Sequence, residues 1–178
     1  MLATKPISRT GIVLSKWFAA SIYTLIMTLW LGFLSLFVAK WVFGTGDLIV
    51  LNSNGLLIIP ESDLAWRFGF ALVVAFLALW TVASLSLAFS AFAKNSVGPI
   101  VSTMAVIILF TIIGTLDVSV FDSIKPYMFT THMAAWRSIF EDPFPTSAIW
   151  ESIIILLVHI MVLLVITLLR FNKKDITS

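Results

Sequence analysis

Two histidines, His132 and His159, are the side chains of this sequence best suited to proton transfer or metal ligation near neutral pH. His159 interrupts an otherwise apolar run. An ionisable residue in such a run marks either a functional position or a hydrogen-bonded packing residue. No acidic or metal-ligating partner accompanies it in the neighbouring runs, so the packing reading leads. His132 lies near Met128 and Met133, a grouping that loosely suits a soft metal, although methionine in such a setting serves more often as apolar filler. The absence of cysteine removes disulfides, thiolate chemistry and cysteine metal sites. There is no Gly-x-Ser-x-Gly, no His-Glu-x-x-His and no phosphate-cradling glycine loop with its Lys-Ser or Lys-Thr. Two histidines that the topology sets apart assemble no nucleophile–base–orienter set. The expectation is of no catalytic residue, no metal site and no cofactor.

The elements that carry these residues are long and oily. Residues 17–39, 68–93, 95–116 and 152–169 contain no charge, in runs of 23, 26, 22 and 18. A bilayer core needs about 20 helical residues. The connecting segments sort by sign. With the N-terminus in the cytoplasm, Lys5, Arg9, Lys16, Lys94, Arg170, Lys173 and Lys174 fall inside, seven of the eleven basic residues. Asp47, Glu61, Asp63, Asp117, Asp122, Glu141, Asp142 and Glu151 fall outside, eight of the nine acids. Orientation follows lysine and arginine, and the acids agree. The expected fold is an all-α membrane protein of four transmembrane helices, about 17–41, 67–93, 95–116 and 150–170, with both termini cytoplasmic. Outer segments 42–66 and 117–149 complete a single transmembrane domain over 1–178.

Composition supports this class. Hydrophobic residues make up 60% and charged ones 11%, against roughly 45–50% and 25% in soluble domains. The net charge of +2 includes no basic stripe of the kind that binds nucleic acid. The first apolar run is longer than a signal peptide's, begins after 16 residues and is followed by no small-x-small cleavage site.

Local signals refine the picture. Pro6 and Ser8 suggest a bend and then a capped interfacial turn from about Arg9 into the first span. Gly-Thr-Gly-Asp and Asn-Ser-Asn-Gly bracket short apolar patches that suit a hairpin or a segment lying on the outer surface. Trp66 and Arg67 read as an outer interfacial anchor. The second span has small residues four apart, among them Ala71 with Ala75 and Ser84 with Ala88. Gly98 and Ser102 continue that pattern into the third, where Pro99 falls in the first turn. These positions let helices approach closely. The fourth span, rich in Ile, Leu and Val, suits a lipid-facing place at the periphery. The segment 117–149 is too aromatic for a polar loop. Short interfacial helices are expected there, one over 130–140 capped by Thr130 or Thr131 with Met133, Trp136 and Phe140 on one face.

Three segments carry a resemblance. KPISRTGIVLSK precedes the first span, KPYMF, AAWRSIF and DPFP precede the last, and Phe171-Asn172-Lys173-Lys174-Asp175-Ile176 follows it. In this order they resemble the Arg-Pro-x-Ser-Arg segment, the aromatic outer stretch and the closing basic motif of type-2 ABC transporter permeases. The four spans resemble helices three to six of a fold that commonly has six. The first two helices and an acidic segment ahead of the Pro-Ser-Arg motif have no counterpart here. A fragment, a shortened version or separately supplied spans would each account for that.

The resemblance implies a permease subunit of an ATP-driven ABC transporter. It would form a translocation path with a second permease copy, as homo- or heterodimer, and ATP would be hydrolysed on a separate ATP-binding subunit. The implied docking positions are Lys5, Pro6, Ile7, Ser8 and Arg9, with Lys94 and Asn95 at the second cytoplasmic turn. Membrane lipid is the remaining partner, and the cell membrane the implied location. The alternative is a non-transporting membrane scaffold or assembly factor using the same small-residue helices. An intramembrane enzyme or metal handler built on His159 and His132 stands third.

Overall fold

The extended backbone of Ser8 and its hydroxyl, which accepts from the Gly11 amide at 3.2 Å, start a helix at Arg9. This caps one of the orphan amides of a helix start. The helix α1 (Arg9–Phe43) then runs 35 residues, and Gly44 ends it at φ +79°, a conformation that suits glycine. The computed structural model describes residues 8–52, 55–93 and 95–173. The Ser8-capped turn expected from about Arg9 into the first span forms as the first part of α1. Between Ser8 and the apolar run no proline interrupts the helical hydrogen bonds, so cap and span join in one rod.

A hairpin follows, β1 (Leu48–Asn52) with β2 (Gly55–Ile59), paired antiparallel from Leu48↔Ile59 to Asn52↔Gly55. The Asp47 carboxylate accepts from the Glu61 amide at 3.1 Å, supplying a cap that Pro60 lacks at the start of α2 (Glu61–Phe92). Glu61 and Asp63 in that first turn suit the positive end of the helix dipole. At the next turn Asn95 Oδ1 accepts from the Gly98 amide at 2.8 Å and opens α3 (Val97–Thr115). A cap of short pieces comes next: α4 (Ser119–Asp122), a 3₁₀ turn at Lys125–Tyr127, α5 (Phe129–His132) and a 3₁₀ segment at Ala135–Phe140. The chain closes in α6 (Thr146–Lys173).

The single helix expected over 130–140 is therefore two pieces. Ala134, at φ −90° and ψ 0°, separates them, and Met128 rather than a threonine stands at the N-cap of the first. In a three-residue turn, positions four apart no longer share a face. Phe140 is accordingly buried while Trp136 projects outward.

Among the described residues four helices are long and apolar enough to cross a membrane, which makes this, the hairpin aside, an all-α membrane fold. α2 lies at the centre. Its buried face is mostly small: Ala71, Ala78, Thr81, Ser84, Ala88 and Ala91. Against it α6 sets an aliphatic stripe of Ile149, Ile153, Leu156, Ile160 and Leu164. Branched side chains filling a small-residue face provide close van der Waals packing, the main source of helix association in lipid. The fourth span is thus a core partner, and the peripheral placement expected from its composition is corrected. A run of Ile, Leu and Val serves a close-packed helix interface as well as a lipid-facing surface. It is α1 and α3 that bury least. The described ends of α1 and α6 meet at one end of the bundle, the terminal end, and the short pieces close the opposite, cap end.

Candidate functional site

At the terminal end, the Arg9 guanidinium Nη1 donates to the Asn172 carbonyl at 3.3 Å. That oxygen belongs to the last turn of α6, where carbonyls lack helical donors and the dipole favours a cation. Two residues earlier, Arg170 covers the Phe92 ring at 5.1 Å and ties α6 to the end of α2. Asn95 is exposed three residues beyond Phe92. Ser8, Arg9 and Asn95 thus frame this end, together with Arg170 and Asn172. Lys5, Pro6, Ile7 and Lys94 lie outside the described residues.

The small-residue positions occupy two faces. Ala71, Ser84 and Ala88 are buried, and Ser84 Oγ accepts from the Trp17 indole at 3.3 Å while Trp17 and Trp80 pack at 4.9 Å. Ala75, Gly98 and Ser102 are half-buried. Ala75 lines a cleft of about 530 Å³ between α1, α2 and α3, beside Thr24, Thr28, Leu79, Ser86 and Thr103. Thr24, Thr28 and Thr103 each donate to a carbonyl four residues back in their own helix, at 2.7–2.8 Å. Their protons are thereby spent, and the cleft presents hydrocarbon. The hydroxyls of Tyr23 and Ser86 also lie on its wall, which is otherwise mainly hydrocarbon.

Gly32 closes one side of this region. A Cβ there would fall 2.5 Å from Leu72 Cδ2, so α1 touches α2 by lacking a side chain. The small-residue rule applied to the second span was equally legible in the first, where Thr24, Thr28 and Gly32 stand four apart.

At the cap end two ionisable residues, Arg67 and His132, are buried among many exposed ones. Arg67 is buried, not simply an interfacial anchor; its Nη1 donates to the Ile139 carbonyl at 2.6 Å and the Glu141 carbonyl at 3.0 Å, with Cζ 5.0 Å from the Trp66 ring centre. Phe68 packs edge-on against Phe140 at 4.9 Å beside it. Among the described residues Arg67 Nε has no partner, and desolvating that group has a cost. Nothing in the local sequence announces which carbonyls it takes, since they lie more than 70 positions away.

His132 and Ser152, in different elements, also meet. His132 Nε2 donates to the Pro126 carbonyl at 2.7 Å, because a carbonyl only accepts, and Nδ1 faces Ser152 Oγ at 2.9 Å. Ser152 Oγ is also 2.8 Å from the Ala148 carbonyl. A histidine–hydroxyl contact therefore exists where the sequence suggested none, and it fastens α5 to α6. Both His132 nitrogens are engaged, which leaves the soft-metal grouping with Met128 and Met133 no free imidazole ligand. His159 Nδ1 donates to the Ile155 carbonyl at 2.8 Å and its ring packs on Phe129 at 5.8 Å. Among the described residues no cluster of three His, Asp or Glu side chains forms.

The model of the family described as ABC-2 family transporter protein matches residues 1–176. No curated protein and no solved structure matches the chain.

Proposed function

This chain belongs to the ABC-2 family of transporter proteins, and we propose that it builds a translocation path with a second permease copy and couples it to a separate ATP-binding subunit. The family match over 1–176, on a fold of four membrane helices, carries the membrane-permease reading. The finer assignment draws support from the terminal end. Arg9, from the segment before the first span, bonds to Asn172 in the motif after the last, so two segments of the resemblance adjoin in space.

In this reading both termini and the turn at Asn95 face the cytoplasm, in accord with seven of eleven basic residues. ATP hydrolysis belongs to the partner. Closure of two ATPase subunits would press on residues 5–9 and on Lys94 and Asn95, and packed helices would respond by hinge or shear motion. The short pieces of the cap then lie at the outer interface. The apolar cleft favours a lipid-like, peptide or otherwise amphipathic cargo over a small inorganic ion.

Co-purification with the cognate ATPase tests the coupling. Variants at Pro6, Ile7 and Arg9 should lose association and coupled ATP hydrolysis while remaining folded in the membrane. Undiminished association and coupling would remove the docking assignment. A chain that recruits no ATPase at all would be better described as a scaffold.

A further inference from the structure

The β1–β2 hairpin is apolar on both faces. Leu48, Val50, Leu57 and Ile59 pack against the core, with Ile59 fully buried. On the other face the register pairs Ile49 with Ile58 and Leu51 with Leu56, and these four are 62–79% exposed. A two-stranded sheet with one face on a core and the other in water alternates apolar and polar residues. This one does not alternate, so water is the wrong neighbour for its outward face.

We propose that this outward face is a shallow lipid anchor, seated at the headgroup–acyl boundary of the leaflet around the cap end. The hairpin begins five residues after Phe43, and α1 leaves its charge-free stretch through Lys40, Trp41, Val42 and Phe43, a basic and aromatic exit. Trp41, Trp66, Tyr127 and Trp150 are all exposed at the same end, the side-chain types that gather where membrane meets water. Depth is bounded from two sides. Both strands are edges, and their unpaired amides and carbonyls need water or headgroups, which excludes deep burial in hydrocarbon. Asp47 and Glu61 stand at the base of the hairpin, where the Asp47 carboxylate is bonded to the start of α2. A second copy of the chain fits less well. Four aliphatic side chains offer neither polar groups to fix a register nor the roughly 20–30 residues a side of a stable protein interface.

The chain has no cysteine, so single nitroxide labels can be placed cleanly. Leu51→Cys, Ile58→Cys and Gly46→Cys would be labelled in the full chain reconstituted in phosphatidylcholine–phosphatidylglycerol vesicles. Power saturation against oxygen and a water-soluble nickel chelate then reads depth. Labels at 51 and 58 should relax more with oxygen than with the chelate, and the label at 46 the reverse. Chelate access at 51 and 58 equal to that at 46 would place the face in water and overturn the anchor. Spin–spin broadening at 51, or a disulfide-linked dimer of the unlabelled Leu51→Cys protein, would overturn it in favour of a second copy. None of these readings involves an ATPase, so the anchor can fail while the permease reading stands.

Discussion

Arg9 and Asn172, 163 positions apart, are joined by a hydrogen bond from the guanidinium to the backbone carbonyl. The contact is exposed, and an exposed bond of this kind contributes about 0.5–1.5 kcal/mol. Loss of this bond alone should shift thermal unfolding only slightly, and Arg9→Ala should weaken association with the ATPase. Unfolding of the whole protein by this substitution would show that Arg9 serves stability and not docking.

Gly32 and Leu72 share a space that admits one of them. Gly32→Val should destabilise the helical bundle by about 1–3 kcal/mol through overpacking. Leu72→Ala in the same chain should recover part of that loss, with a coupling of about 0.5–3 kcal/mol in a double-mutant cycle read by unfolding in detergent. Strict additivity would mean that α1 does not approach α2 here.

Removing the guanidinium of Arg67 leaves the carbonyls of Ile139 and Glu141 without their donor, at about 1–3 kcal/mol for a buried group. Some of this is offset by losing a buried charge whose Nε has no partner. Arg67→Met should thus act locally. Hydrogen exchange and protease cleavage over 135–145 should accelerate while the α2–α6 core keeps its protection. A uniform loss of protection would speak against a local clamp.

The two histidines should separate under substitution. His132→Ala and Ser152→Ala should show a coupling of about 0.5–3 kcal/mol, since they share one contact across elements. His159→Leu should stay within roughly 1 kcal/mol, because its bond is to its own helix and the replacement is apolar. Equal effects at 132 and 159 would contradict this division of roles.

Sidedness is open to a direct measurement. Cysteines at Lys94 and Lys174 should react with impermeant reagents from the same side of the membrane, and one at Asp122 from the other. Labelling of 94 and 174 from opposite sides would end the four-span orientation.

The four spans were legible because a charge-free run of membrane length has few other uses. The turn residues pointed to a hairpin or a segment lying on the outer surface, and the hairpin is what forms. What the sequence concealed were pairings between distant elements. Composition shows that a helix is apolar and leaves its neighbour unnamed; Ile153, Leu156 and Ile160 therefore read as lipid-facing although they fill the small face of α2. Likewise Arg67 and His132 find partners in backbone carbonyls and a serine hydroxyl, groups whose positions only the folded chain defines. At the terminal end, the resemblance pointed to Ser8 and Arg9 through a motif and to Asn95 through the second cytoplasmic turn, while the bond from Arg9 to Asn172 required the fold.

The unbroken course of α1 sets how force would travel. From Arg9 to Gly32 is about 35 Å and from Gly32 to Phe43 about 17 Å, at 1.5 Å per residue. Were Gly32 on Leu72 to act as a fulcrum, a push at the Arg9 end would move the far tip the opposite way through about half the distance. A swing of that end away from α2 would part the Trp17 indole from Ser84 and Trp80, so the contact would act as a latch on such a movement.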